Sequence, residues 1–302
     1  MRAAVVTTFG GPEAVRIVET ALPEPAAGQV RIKVAAATLN PVDAGVRAGV
    51  FGGEGRQNGL GWDVAGTVDA TGPAGDTPSG EAWSVGDEVV ALFFGMGQPL
   101  GTHAEYVVVD SDAVAKAPTT VDAVHAATLP LNALTAVQAL DLLELTPGQS
   151  LLVTGAAGAV GAYAVQLAAQ RGVSVTALAR ESDEEFVRSL GAAHFASDAV
   201  GAGSVDAVLD AAILNETALA WVRDGGVFVG VIPQAAPAPV RGVRTTAVGV
   251  KADGARLAEL AGLVDEGVLT LRVADTYTLD EAPKAHARLA EGGVRGRLVL
   301  IP

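Results

Sequence analysis

The stretch LLVTGAAGAVGAYAVQLAAQR, residues 151–171, decides how this chain folds. It opens with four residues typical of a buried parallel strand, turns through three glycines and continues into an alanine-rich segment that contains no proline. A glycine turn between a strand and a helix is the context in which such a motif binds a dinucleotide. We expect the new helix and this turn to hold a pyrophosphate, and the residues closest to it are Gly155, Ala157, Gly158, Ala159 and Val160.

The spacing of these glycines leaves a second interpretation open. It is G-x-x-G-x-x-G, whereas the usual dinucleotide fingerprint is G-x-G-x-x-G. The glycines could instead serve only to let the helix pack closely on the strand. Other parts of the chain must decide between the two.

Length and composition limit the possible classes of protein. The chain has 302 residues, half of them hydrophobic, which is enough for two ordered domains. A formal net charge of −14 disfavours nucleic acid as a partner, because phosphates would be repelled. No apolar run is long enough for a membrane helix, and the N-terminus lacks the apolar region of a signal peptide. We therefore expect a cytoplasmic protein that does not enter membranes.

The sequence contains no cysteine. Disulfides, thiol catalysis, iron–sulfur clusters and cysteine-bound zinc are thereby excluded together. The four histidines, at 103, 125, 194 and 286, are widely spaced and form no metal-binding pattern. We expect no metal site.

The order of predicted elements indicates two kinds of domain. The first 120 residues are β-rich, with a polar loop over 73–86, and 120–145 is predicted to be helical with an interruption at Pro130. Strand-type and helix-type segments then alternate to residue 231, which indicates a doubly wound parallel sheet. The predicted strands are 3–6, 30–35, 64–70, 87–93, 104–109, 151–154, 173–178, 193–195, 207–209 and 227–231.

The tail is predicted as helix 254–266, strand 269–273, helix 281–291 and strand 297–301. This order suggests that the β-rich part shares a domain with the tail and that a nucleotide-binding domain is inserted between them.

Several motifs resemble one family in its own order along nearly the whole chain. They are LNPVD (39–43), GWDVAG (61–66), VGDEV (85–89), GTHAEYV (101–107), LPLNALTA (129–136) and the glycine turn. On these motifs the chain resembles the zinc-independent quinone oxidoreductase branch of the medium-chain dehydrogenase/reductases.

The resemblance implies an α/β fold in which a GroES-like β-barrel catalytic domain (1–121 and 266–302) carries an inserted Rossmann domain (122–265). Members commonly form homodimers or homotetramers through an edge of the Rossmann sheet, and here 220–231 and 233–250 would lie at that edge.

The resemblance also bears on zinc. Zinc-dependent relatives place a cysteine where Asn40 stands and a His-Glu pair where Trp62 and Asp63 stand. Without a Lewis acid, alcohol oxidation becomes the less favoured chemistry. Reduction of an activated acceptor needs no metal, because a quinone or enone already carries an electron-poor carbon.

The end of the second Rossmann strand bears on the choice of cofactor. NAD-binding folds usually place an acidic residue there, about 20 residues after the glycines, whereas this chain has Arg180. A fixed positive charge suits the 2′-phosphate of NADPH, which we therefore predict as the cofactor. The alternative is a solvated Arg180 that pairs with Asp183 or Glu184.

By resemblance, Asn40 lies near the nicotinamide and Asp43 orients its neighbours or relays a proton. Both could instead be ordinary turn formers beside Pro41. Trp62 would wall an acceptor pocket and favour flat apolar acceptors by stacking, or else simply pack in the core.

The remaining site residues also follow from the resemblance. Thr135 lies near the cofactor phosphate or nicotinamide, or bonds to its own helix backbone. Val229 and Val231 end a strand whose backbone contacts the carboxamide. Arg297 lies close to the cofactor phosphates, with plain surface charge as the alternative.

The sequence thus predicts an NADPH-dependent, zinc-free reductase of quinones or α,β-unsaturated carbonyls, acting on a small, apolar, electrophilic substrate. One alternative is a pathway-specific enoyl or ketone reductase of biosynthesis. Another is a non-catalytic NADPH-binding redox sensor.

Overall fold

A computed structural model describes residues 1–73, 83–198 and 200–302, so most of the loop predicted over 73–86 lies outside the described residues. The helices are α1 (Pro41–Arg47), α2 (Ala123–Ala126), α3 (Pro130–Leu143), α4 (Ala159–Gln170), α5 (Glu184–Ser189), α6 (Glu216–Leu219), α7 (Gly254–Asp265) and α8 (Ala282–Ala290). The strands are β1 (Arg2–Val6), β2 (Arg16–Glu19), β3 (Gln29–Leu39), β4 (Asn58–Gly59), β5 (Asp63–Thr71), β6 (Glu88–Leu92), β7 (Tyr106–Asp110), β8 (Val114–Lys116), β9 (Ser150–Thr154), β10 (Ser174–Leu178), β11 (His194–Ala196), β12 (Val205–Asp210), β13 (Val222–Gly230), β14 (Arg244–Ala247), β15 (Val273–Thr278) and β16 (Arg297–Ile301).

Contacts divide the chain into two compact units. Unit 1 is Met1–Leu131, Lys251–Gly267 and Leu271–Pro302, and unit 2 is Asn132–Val250 with Val268–Thr270. The predicted domain limits at 121/122 and 265/266 stay a prediction, and the unit limits lie elsewhere. Helix α7 accounts for the difference at the second limit, because Asp265 at its end accepts hydrogen bonds from the backbones of Thr119 and Thr120 in unit 1.

Unit 2 is built on a six-stranded parallel sheet in the order β11-β10-β9-β12-β13-β14. Strand order reverses between β9 and β12, so the carboxyl ends of these two strands form the point where ligands bind in open parallel sheets. Strand β9 is buried throughout its apolar part, because helices cover both faces of such a sheet. The predicted doubly wound sheet is confirmed.

Unit 1 holds a larger, mostly antiparallel sheet in the order β15-β16-β3-β5-β6-β8, with β7 also paired to β3. Alternate residues of these strands face a common core that includes Ile32, Val64 and Val107. A second apolar cluster packs helix α8 against β1 and β16. The predicted β-rich N-terminal part and the tail thus lie in one unit.

Two sequence-based expectations differ from the structure. The strand predicted over 269–273 is wrong, because the strand begins at Val273, and Thr270 instead donates from its backbone to Gln166 Oε1 at 2.8 Å. Val231 follows β13, which ends at Gly230. The interruption expected at Pro130 is present, because α2 ends at Ala126 and α3 begins at Pro130, where a first-turn residue needs no backbone N–H donor.

Within the described ranges, no helix is both long enough and apolar enough to cross a membrane.

Candidate functional site

The glycine turn in unit 2 joins β9 to α4 and is closely packed. Gly155 has a left-handed φ of 58°, and the backbone N–H of Ala156 donates to Leu178 O at 3.1 Å, which ties the turn to the end of β10. A Cβ on Gly161 would lie 2.2 Å from Gly155 O. Close packing therefore explains Gly161, whereas Gly158 is exposed at the start of the helix, where an added Cβ would lie 3.0 Å from Gly155 O.

The first turn of α4 suits a phosphate. Gly158 is the N-cap residue of this 12-residue helix, and no side chain caps the helix there. The backbone N–H groups of the first turn thus lack side-chain acceptors, and the helix dipole favours an anion at this end. Ala157, Ala159 and Val160 are half-buried around the same turn, so their small or short side chains leave the backbone accessible. These residues fit a dinucleotide pyrophosphate.

Arg180 lies two residues beyond β10 and is exposed. Among the described residues no carboxylate lies within ion-pair distance of its guanidinium, and Glu184 pairs with Arg188 at 2.8 Å. The structure therefore does not support the alternative in which Arg180 pairs with Asp183 or Glu184. The guanidinium is available to a ligand at the carboxyl end of β10.

Unit 1 contains a buried polar cluster, which we call the Asn40 network: Thr38, Asn40, Asp43, Asp63 and Arg297. The Asn40 amide donates from Nδ2 to Asp63 Oδ2 at 2.6 Å, and its Oδ1 accepts from Arg297 Nη2 at 2.6 Å. Thr38 Oγ1 also donates to Asp63 Oδ2. Both ends of the amide are thus engaged with the protein, which fixes the orientation of Asn40.

Asp43 has a separate set of partners. Its carboxylate accepts from the backbone N–H of Asn40 at 2.8 Å and of Gly61 at 2.6 Å. The first bond caps the start of α1, and the second holds the GWD segment beside it. Asp43 therefore orients its neighbours, and the predicted proton relay stays a prediction.

Burial dominates the electrostatics of this network. Removal from water raises the pKa of both Asp43 and Asp63, against the lowering effect of their hydrogen-bond donors and of Arg297. Asp63 accepts a third hydrogen bond, from the backbone N–H of Leu131. Two carboxylates and one guanidinium are therefore held together out of solvent, which requires every partner to stay in place.

Arg297 lies inside this network. Its Nη2 donates to Leu39 O as well as to Asn40, and only 8% of the residue is exposed. The surface-charge alternative does not fit this burial. Contact of Arg297 with cofactor phosphates stays a prediction, and its position indicates that it orients Asn40.

Trp62 is buried, and the exposed aromatic ring beside it belongs to Phe94. The two ring centroids are 5.0 Å apart with an interplanar angle of 76°, an edge-to-face contact. Phe94 is 54% exposed, whereas Trp62 is 4% exposed. Trp62 therefore supports Phe94 from behind, and Phe94 presents the apolar surface. Phe94 also lines a cavity of about 410 Å³ in unit 1, together with Leu92, Phe93 and Leu100.

The other predicted residues lie in unit 2. Thr135 is almost buried in the first half of α3, and Val229 is buried in β13 next to β12. Val231 is half-buried just beyond that strand. Their predicted contacts with the cofactor stay predictions.

Among the described residues, no three histidine, cysteine, aspartate or glutamate side chains come together as a metal-binding group. The expectation of a zinc-free protein stays a prediction. Asn40 and Asp63 stand where zinc-dependent relatives have metal ligands. Here they are hydrogen-bonded to each other and to neighbouring residues.

A buried histidine in unit 1 predicts a pH dependence. Arg47 Nη1 donates to His286 Nδ1 at 3.1 Å, so a proton on that nitrogen would face a cation. Burial, and then the nearby His103 and Arg47, lowers the pKa of His286 from 6.5 to about 3. The unfolded chain therefore binds a proton that the folded chain does not, and folding stability is full above 6.5 and falls as the pH drops towards 3.

We expect the free energy of unfolding to fall by roughly 1.4 kcal/mol per pH unit below 6.5 because of this one group. Urea unfolding of the wild type and of His286→Gln across that range measures it, since the variant should lose this slope. His125→Gln, in the same unit with a half-exposed imidazole, is the control and should keep it. Equal slopes in the wild type and His286→Gln would contradict the prediction.

Several residues of the site were missed at the level of sequence. Thr38, Asp63 and His103 carry no sequence signal of burial, and the Nε2 group of His103 donates to Thr38 O at 2.9 Å. Phe94 follows the apolar end of β6, and an aromatic residue in that position is typical of the core. Their roles follow from contacts between residues that are distant in sequence.

Comparisons with known proteins agree with this architecture. Residues 26–119 match the alcohol dehydrogenase GroES-like domain family, and residues 183–300 match the zinc-binding dehydrogenase family. The structure of the quinone oxidoreductase from Coxiella burnetii superimposes with a TM-score of 0.87 and 30% identity, covering 100% of this chain and 99% of that one. The predicted GroES-like and Rossmann architecture is confirmed.

Two curated relatives are similar over most of the chain. The pikromycin polyketide synthase component PikAII of Streptomyces venezuelae is 34% identical over 93% of this chain, which spans 8% of that protein's length. The chloroplastic NADPH-dependent alkenal/one oxidoreductase of Arabidopsis thaliana is 35% identical over 82% of this chain and 66% of its own length.

Proposed function

Because the chain belongs to the quinone oxidoreductase-like proteins of the medium-chain dehydrogenase/reductase superfamily, we propose that it is a cytoplasmic, zinc-free, NADPH-dependent reductase of quinones or α,β-unsaturated carbonyls. The observation that carries the cofactor choice is the exposed, unpaired Arg180 at the end of β10, beside an uncapped glycine turn. The alkenal/one oxidoreductase among its relatives supports the acceptor class.

The chain's own residues would bind and orient the reactants. The backbone of the glycine turn binds the pyrophosphate, and Arg180 binds the 2′-phosphate. Bound NADPH supplies a hydride for an electron-poor carbon. Phe94, supported by Trp62, offers an apolar surface suited to a flat acceptor.

The Asn40 network has a positioning role in this proposal. The Nδ2 group of Asn40 already donates to Asp63, so Asn40 acts through its fixed orientation more than as a donor to a developing oxyanion. Asp43 and Asp63 are fully buried and accept several hydrogen bonds each. We therefore propose that the product takes its proton from water.

A second candidate function is a biosynthetic enoyl reductase. The match to a polyketide synthase component over 93% of the chain favours it. Assaying NADPH oxidation with a small panel of quinones, enones and enoyl thioesters separates the two. Turnover of quinones and enones supports the first proposal, and turnover confined to enoyl thioesters supports the second.

Self-association is part of the proposal. Strand β14 is the last strand of the six-stranded sheet, and its outer edge has no partner strand among the described residues. An unpaired edge is a ready site for pairing with another copy of the chain. We propose a homodimer or homotetramer formed through β14.

Arg180→Ala is expected to weaken NADPH binding by about 10- to 100-fold, because it removes charge-assisted hydrogen bonds to the 2′-phosphate. NADH, which lacks that phosphate, should bind the variant and the wild type alike. Fluorescence titration of both cofactors measures this effect.

Arg188→Ala is the matched control for that substitution. Arg188 is an exposed arginine of the same unit that pairs with Glu184, so both affinities should stay unchanged. Tighter binding of NADH than of NADPH by the wild type would contradict the assignment of NADPH.

A further inference from the structure

Strand β12 is followed by a segment, residues 211–215, in which two residues other than glycine have a positive φ. Ile213 has φ of 59° and Asn215 has φ of 52°, both in the left-handed region. For a β-branched residue such as Ile213 this conformation is strained. Ile213 and Leu214 are also exposed, so neither side chain gains core packing that would offset the strain.

Buried side chains hold this segment at both of its ends. The Thr154 hydroxyl donates to Asp210 Oδ1 at 2.6 Å and accepts from the backbone N–H of Ala212 at 3.0 Å. Asp210 Oδ2 accepts from the backbone N–H of Asn215 at 2.7 Å. Thr154 and Asp210 are both almost completely buried, so the bond between them is shielded from water.

The same two residues place the segment beside the glycine turn. Thr154 ends β9 and Asp210 ends β12, the two neighbouring strands at which strand order reverses. A Cβ on Gly155 would lie 3.4 Å from both the backbone N and the Cβ of Ala212, so turn and segment are in contact distance. The segment therefore borders the crevice in which a nucleotide binds to such a sheet.

We propose that Thr154 and Asp210 are positioning residues of the dinucleotide site. Through their hydrogen bonds they hold the strained 211–215 segment at a fixed distance from the glycine turn. The bound dinucleotide requires that distance. Strain of this kind persists where the surrounding structure enforces it and is concentrated at ligand sites. This inference rests on the proposed function, because it takes the glycine turn to bind NADPH.

The role of the Thr154–Asp210 pair and the role of the backbone strain at Ile213 can be tested separately. Thr154→Val keeps the shape of the side chain but removes the hydroxyl that links Asp210 to Ala212, and we expect NADPH to bind about tenfold more weakly. Ile213→Gly removes the strain, because glycine adopts a positive φ at no steric cost. It should bind NADPH roughly fivefold more weakly while its Tm stays equal to or above that of the wild type.

The control for strain relief is Glu144→Gly. Glu144 is another residue of unit 2 with a positive φ, 55°, and its side chain forms an exposed ion pair with Arg244. It should keep the affinity of the wild type. All titrations with NADPH are made far below Tm, where the variants are folded, so that a loss of affinity is not a loss of stability.

The outcomes separate this inference from the function on which it rests. A wild type that binds neither NADPH nor NADH would contradict the proposed function. A wild type that binds NADPH, together with an Ile213→Gly variant of unchanged affinity, would overturn the positioning role of the strained segment. That second variant also decides the matter if Thr154→Val fails to fold.

Discussion

Gly161→Ala is expected to abolish high-affinity cofactor binding and to lower the free energy of unfolding by about 1–3 kcal/mol. The new methyl group would lie 2.2 Å from Gly155 O and 2.9 Å from the Cα atom of Ala156. Both are backbone atoms and cannot turn aside as a side chain can. Helix α4 and the glycine turn would have to separate, which displaces the N–H groups that bind the pyrophosphate.

Titration with NADPH and urea unfolding measure the two effects of this substitution. Gly262→Ala is the matched control, because Gly262 also lies within a helix but has no heavy atom within 4 Å of the added methyl group. Alanine there should stabilise the protein by about 0.5–1 kcal/mol and leave binding unchanged. Wild-type affinity in Gly161→Ala would show that this turn does not form the cofactor site.

Asp63→Ala is expected to cost about 3–5 kcal/mol of stability and most of the activity. Burial raises the pKa of Asp63, so the carboxylate itself is expensive to bury. Its removal is still unfavourable, because Thr38 Oγ1, Asn40 Nδ2 and the N–H of Leu131 would each lose the hydrogen bond to Asp63. Unsatisfied buried donors cost more than the carboxylate does when it is paired.

The same substitution releases Asn40. Without Asp63 the Asn40 amide loses its 2.6 Å hydrogen bond from Nδ2, and the contact of Nδ2 with Thr38 Oγ1 is longer, at 3.2 Å, so the orientation of the amide is held less firmly. We expect turnover to fall more than stability alone explains, when both are measured under conditions in which the variant is folded.

Asp280→Ala is the control for Asp63→Ala. Asp280 lies in the same unit, and its exposed carboxylate pairs with Arg2 at 3.0 Å. An exposed ion pair contributes little, so the unfolding midpoint in urea should shift only slightly. Similar losses in the two variants would contradict the role assigned to the Asn40 network.

The glycine turn could be found from the sequence because all its determinants are local. The apolar strand, the three glycines and the alanine-rich helix follow one another within 151–171, and the structure places β9 and α4 there. The alternation of strand-type and helix-type segments was sufficient to predict the parallel sheet for the same reason. The strand near 269–273 was misplaced because Leu269 is buried in irregular chain, which a hydrophobic pattern cannot distinguish from a strand.

The Asn40 network could not be found in this way. Asn40 and Arg297 are 257 residues apart, and Asn40 and Asp63 are 23 apart. Their contact depends on β16 pairing with β3 and on the position of β5, which no local pattern specifies. The sequence indicated Asn40 as important, and only the fold showed that its amide is already engaged.

The measurement that tests the central claim most directly is cofactor oxidation by the purified wild type. NADPH and NADH are each supplied with a quinone, an enone and an enoyl thioester, with loss of reduced cofactor and formation of product followed together. We predict that NADPH is oxidised, in equal amount to the product formed, with the quinone or the enone, and that NADH serves less well. Binding of NADPH without oxidation by any acceptor would contradict the account and would favour a non-catalytic redox sensor.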